Sequence, residues 1–209
     1  MRLFGNALFH FLAIGVAAYA AVAYGLLPLG SLVHPEMKAV FQEHATSLYT
    51  HVFASSVALA LGPFQFSNRL RQMIPVWHRW SGRIYLSVGV LVGGISGLYM
   101  AQFAYGGLVA RSGFMLLALS WLFTGLMAYL AIRRLDIQSH RRWMVRNFSL
   151  TFAAVTLRIY LGLSFAAGLR FEDFYPVIAW LCWVPNLMLV EWFFNTMRER
   201  GSKTSSTIR

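Results

Sequence analysis

Acidic side chains and cysteine are what this sequence has least of. Seven Asp and Glu stand against 18 Lys and Arg, charged residues make up only 12% of the 209 positions, and Cys182 is the single cysteine. One cysteine excludes an internal disulfide and any cysteine-built metal centre. A soluble globular domain carries about a quarter charged residues, roughly twice the share found here. Also missing are a glycine-rich phosphate loop, an HExxH helix and a G-x-S-x-G elbow. Nothing therefore supports nucleotide binding, metalloprotease chemistry or hydrolysis.

What fills the chain is apolar: 58% of it is hydrophobic and 16% aromatic. Runs of about 20 apolar residues, enough to cross roughly 30 Å of hydrocarbon, recur at 7–29, 47–66, 84–104, 113–132, 148–169 and 174–195. They do not alternate as barrel strands would, and lipid forces each segment to satisfy its own backbone. The expectation is an all-α, polytopic transmembrane helix bundle of about six helices, a single unit over 1–198. The polar stretch 199–209 is expected to be a disordered tail. Arg2 before the first run and Ala18-Tyr19-Ala20 within it loosely imitate a cleavable signal. The apolar stretch continues to Leu29, however, so an uncleaved first helix is expected.

The basic residues follow the runs. Arg2, the loop with Arg69, Arg71, Arg79 and Arg83, the loop with Arg133, Arg134, Arg141, Arg142 and Arg146, and the tail with Arg198, Arg200, Lys203 and Arg209 fall on one side. The other side has only Lys38, Arg111 and Arg170. By the positive-inside rule both termini are cytoplasmic. Arginines that hug helix ends meet anionic lipid rather than nucleic acid.

Two short stretches set a histidine before an apolar run: HRWSGRIYL, from His78, and HRRWMVR, from His140. Both runs leave the cytoplasmic side in the same direction, so the two imidazoles share a depth. Two readings are open. In one they face each other and hold a b-type haem, with arginines for its propionates. In the other they belong to the Trp and Arg belt at the headgroups. His51 lies inside the second run near the outer face and is a candidate haem or quinone contact, because a histidine within the membrane is a functional-site hypothesis by default.

Gly89, Gly93 and Gly97, and the stripe His51, Ala54, Ala58 and Gly62, read either as close helix packing or as a flat wall for a cofactor. Arg158, in AAVTLRIYLGL, sits where an unpaired cation costs at least about 2.5 kcal/mol. It lies five turns after His140 and shares its face in an unbroken helix. Its expected partners are Glu191 and Asn186 in the last run, where Pro185 frees a carbonyl. An ion pair joining two helices and a site for an anionic headgroup, a propionate or a proton path are the alternatives for it.

With these residues assembled, LGPFQF (Leu61–Phe66), HRWSGRIYL (His78–Leu86), HRRWMVRNF (His140–Phe148), AAVTLR (Ala153–Arg158) and WVPNLMLVE (Trp183–Glu191) resemble a family of uncharacterised bacterial predicted membrane proteins, a domain of unknown function. That resemblance implies a multi-pass protein of the bacterial cytoplasmic membrane and no particular activity. HRWSGR is also similar to the start of a haem-binding helix in transmembrane b-type cytochromes and ferric reductases. Carried over, His78 is a haem ligand and Gly82 lets the porphyrin or a neighbouring helix approach. Where those reductases carry a second ligand further along the same helix, this chain has Leu91 and Val92. The resemblance therefore implies one haem on His78 and His140, not two stacked ones. No stretch provides a soluble flavin or nicotinamide domain, so the expected electron partner is a quinone or a separate redox protein. The competing expectation is a non-catalytic transporter-like or assembly component, held by Arg158 and Glu191.

Overall fold

The computed structural model describes the backbone of residues 2–31 and 33–206 and the side chains of residues 7–31 and 33–196. The described chain is helical throughout, with no strand. In order come α1 (Arg2–Gly25), the short α2 (Pro35–Glu43), α3 (Ala45–Gln65) and the short α4 (Asn68–Met73). The next helix, α5, runs unbroken over Pro75–Ala101, but its middle stretch, Tyr85–Val92, is π-helical. Then follow α6 (Gly107–Arg133) and α7, whose segments Ile137–Thr151 and Ala153–Ala166 meet at a tightened turn on Phe152. The last helix, α8, is built from Phe171–Leu181 and Val184–Ser206. The expected disordered tail falls on side chains outside the described residues, and 207–209 lie outside them altogether.

Among the described residues, five segments are long and apolar enough to cross a membrane: Ala7–Gly25, Pro75–Ala101, Gly107–Arg133, Ile137–Ala166 and Phe171–Thr196. The expected run at 47–66 became α3, which stays outside that set. It carries Thr46, Ser47, Thr50, His51, Ser55, Ser56 and Gln65. Its position accounts for that, because α3 packs against α1, α5 and α7 and presents much of its surface to protein. The lipid-type surface is elsewhere: Phe11, Leu163, Phe165, Leu189 and Trp192 are each more than half exposed.

Helix ends follow local chemistry more than apolarity. α1 stops at Gly25, short of Leu29, with Pro28 just beyond. α5 starts at Pro75, in the first turn where the missing N–H is harmless. α7 starts well before its apolar run, and its cap is Asp136. The Asp136 carboxylate accepts the Ser139 N–H at 2.9 Å, and that bond holds it below the usual aspartate range. The interruption of α8 at Cys182–Trp183 precedes Pro185, and side chains cover the loosened carbonyls. Asn186 Nδ2 donates to Cys182 O at 3.0 Å and Trp183 Nε1 to Ala179 O at 3.0 Å.

Both small-residue stripes are packing surfaces. A Cβ on Gly89 would lie 2.6 Å from Ala58 Cβ, one on Gly93 3.0 Å from Ser55 Oγ, and one on Gly97 2.6 Å from His51 Nδ1. The glycines of α5 thus climb the facing side of α3 turn by turn, bringing the two backbones close. The π-helical stretch shifts the register between His78 and this ladder.

Gly89→Ala forces Cβ against the α3 backbone and is expected to cost about 1–3 kcal/mol. Gly162→Ala, which meets nothing within 4 Å, is expected to be neutral or stabilising by up to about 1 kcal/mol. Thermal unfolding of both variants in mild detergent checks this; equal effects would contradict the ladder.

Candidate functional site

At the end of the bundle where α3 stops and α5 and α7 begin, a groove of about 1030 Å³ lies among α5, α6 and α7. His78 and His140 both line it. α5 and α7 do not pack closely on each other; α3 and α6 each pack against both and hold them apart. The groove wall is apolar, with Leu86, Leu91, Leu122 and Met144, and Arg71, Arg79, Arg83, Arg133 and Arg141 surround it. The π-helical stretch contributes Leu86, Ser87, Val90 and Leu91 to this wall.

His140 is oriented: its Nδ1–H donates to Ala128 O on α6 at 2.9 Å. A carbonyl can only accept, so Nε2 of the neutral ring carries the lone pair. His78 makes no side-chain hydrogen bond among the described residues, and Trp80 beside it is 59% exposed with the Arg83 guanidinium 4.8 Å from its ring centre. Gly82 lines the groove and also meets α3, since a Cβ there would sit 3.2 Å from Gln65 Oε1. It admits the neighbouring helix. Gln65 Nε2 in turn donates to Ser81 Oγ at 2.7 Å.

Two turns further along α5 and α7 lies a polar node that spacing alone did not reveal. The fully buried Tyr85 donates its hydroxyl to Asn147 Oδ1 at 2.7 Å and lies 2.9 Å from Thr151 Oγ1. Asn147 Nδ2 reaches Trp121 O at 2.8 Å and Thr124 Oγ1 at 3.0 Å, while Trp121 Nε1 donates to Thr151 Oγ1 at 2.8 Å. Tyr85 and Asn147 are each seven residues after a motif histidine. That spacing was the available signal.

The expected pairing of Arg158 with Glu191 and Asn186 is not what forms. Glu191 is held by Arg146, with Nε at 2.5 Å and Nη2 at 2.8 Å from its two oxygens. The same guanidinium lies over Trp143 and Phe194. Arg158 is twelve residues further along α7, about 18 Å at 1.5 Å per residue, and α8 runs the opposite way. Asn186 meets Thr156 Oγ1 at 3.0 Å instead. The turn at Phe152 also separates His140 and Arg158 into different helical segments.

Arg158 and His51 line a second cavity, of about 490 Å³, towards the other end of the bundle. His51 Nδ1 donates to Gly93 O at 2.8 Å and the ring lies against Gly97. Arg158 donates Nη1 to Ala154 O at 2.8 Å and sits 5.5 Å from the Tyr19 ring centre, with no ion pair among the described residues. The structure thus gathers the predicted residues into two places, His78 with His140 and His51 with Arg158.

A helical bundle with several lipid-length apolar segments, interhelical hydrogen bonds in its interior and arginines at one end is a multi-pass membrane protein. The chain belongs to the family described as predicted membrane protein (DUF2306), whose profile matches residues 48–194. That span takes in α3 to α8 up to Phe194, including both histidine motifs. No curated protein and no solved structure matches the chain.

A double-mutant cycle tests the ion pair. Arg146→Gln with Glu191→Gln should show a coupling of about 0.5–3 kcal/mol. Arg158→Gln with Glu191→Gln should be additive to within about 0.5 kcal/mol. The reverse pattern, measured by thermal unfolding in detergent, would restore the pairing expected from sequence.

Proposed function

We propose that this protein is a small electron-transfer component of the bacterial cytoplasmic membrane that holds one b-type haem in the groove between α5 and α7. The proposed ligands are His78 and His140. The observation that carries the reading is that these two imidazoles, from helices kept apart by α3 and α6, line one large apolar groove with arginines around it. A haem held between two helices needs that combination: two imidazoles, an apolar wall and cations within reach of the propionates.

Further support comes from what the His140 ring touches. A metal-ligating histidine normally donates its other ring N–H to a carboxylate or a carbonyl, which sets the tautomer and ring orientation. His140 does so to Ala128 O. Cys182, the one cysteine, is buried away from this groove, so a thiolate takes no part in this reading. Among the described residues no three His, Cys, Asp or Glu side chains gather as a metal cluster, and two axial imidazoles need no third. When bound, haem supplies one-electron transfer; the chain's part is to orient the rings, neutralise the propionates and exclude water. In this reading six helices cross the membrane with α3 as the second, both termini and the groove face the cytoplasm, and a quinone or a separate redox protein exchanges the electrons.

The test is an absorbance spectrum of the protein purified in mild detergent from haem-competent cells, oxidised and then dithionite-reduced. The expected result is a sharp Soret band with reduced α and β bands. His78→Ala and His140→Ala are each expected to abolish those bands while the protein still inserts. Bands that survive in both variants would remove the ligand assignment. A flat spectrum would return the protein to the non-catalytic class, a helical bundle tied by Arg146–Glu191 and the Tyr85–Asn147 node.

A further inference from the structure

The second cavity has an electrostatic problem that the protein does not solve by itself. It is walled by α1, α3, α5, α6 and α7, and α2 lies across it with Glu36, Met37, Val40 and Phe41. Most of its surface is apolar, yet Arg158 faces it. A guanidinium has five N–H donors, and Arg158 spends one on Ala154 O within its own helix. Glu36 lines the same cavity but makes no ion pair with Arg158, and the ion pairs among the described residues use other cations. Tyr24, also on the wall, makes no side-chain hydrogen bond among the described residues. A cation and a hydroxyl therefore point into an apolar chamber with donors to spare.

We propose that this cavity binds a single-chain amphiphilic carboxylate, such as a free long-chain fatty acid, with its head on Arg158 and Tyr24 and its chain along the apolar wall. Three observations select that class. Arg111 and Arg158 against Glu36 leave the cavity wall one negative charge short, and a carboxylate matches the planar fork of arginine. About 490 Å³ lies within the roughly 300–1000 Å³ of small-molecule sites. His51 is the only histidine on this wall, so a haem with two axial imidazoles is not what the cavity suits. Intramembrane arginines face cavities or partners and mark ligand sites, because leaving the charge alone in hydrocarbon is costly. The proposal stands independently of the haem reading, since it uses other residues at the other end of the bundle.

The experiment is a fluorescence titration of the full-length protein, in a non-ionic detergent, with cis-parinaric acid, whose emission rises on burial. Saturable binding is expected, displaced by oleate. Arg158→Gln should weaken it by at least about tenfold, the effect of losing one charge-assisted hydrogen bond. Tyr24→Phe should weaken it less, and the methyl ester of the probe should bind wild-type protein at least about tenfold more weakly. Unchanged affinity in a folded Arg158→Gln variant would overturn the proposal. If that variant fails to fold, the ester comparison decides: ester and acid binding equally well would show that the cavity reads the chain alone. Displacement by phosphatidylglycerol at the same concentrations as by oleate would assign the site to a bilayer phospholipid and also overturn it.

Discussion

The Tyr85–Asn147–Thr151–Trp121 hydrogen-bond node is what the rest of the bundle is arranged around. Four polar side chains from three helices meet where little water reaches them, and each finds a partner at 2.7–3.0 Å. In hydrocarbon an unsatisfied group is costly, so the node tolerates few other arrangements of α5, α6 and α7. It also sets a spacing. α5 and α7 touch through the long Tyr85 side chain rather than through their backbones, and the space this leaves opens as the histidine groove on one side. On the other side, Trp121 and Thr151 form part of the wall of the Arg158 cavity. One buried network therefore separates the two sites and defines both.

The remaining adhesion is of the kind membranes permit. Lipid tails are as apolar as leucine, so helices associate through close packing and hydrogen bonds rather than through water exclusion. Gly89 on Ala58, Gly93 on Ser55 and Gly62 on the Phe148 ring supply the close packing. Arginines divide into three roles by depth and neighbours. Those around the groove stand near the helix ends. Arg146 is locked between Glu191 and two aromatic rings. Arg158 is left with one backbone carbonyl and one aromatic face.

Much of the fold was legible because membrane helices announce themselves by length. Five of the six expected runs overlap segments that meet that standard, two of them lying wholly inside. The histidine pair was legible as well, because two copies of a similar motif on helices leaving the same side must lie at one depth. The ion pair was misread for a geometric reason. Counting turns along AAVTLRIYLGL places Arg158 well, but choosing its partner needs the depth of Glu191 on an antiparallel helix, and Arg146, at the end of HRRWMVR, sits at that depth. The polar node was missed because Tyr85, Trp121 and Asn147 each look ordinary on their own run.

Composition and periodicity by themselves determined that this chain is a helical, multi-pass membrane protein with its arginines at helix ends, since hydrophobic length and charge placement are local properties. Which side chains meet was decided only in three dimensions. The π-helical stretch re-aims α5, the turn at Phe152 divides α7, and α3 and α6 hold α5 away from α7. The physical reason is that a hydrogen bond or an ion pair depends on ångström distances between helices, and no single helix encodes the position of its neighbour.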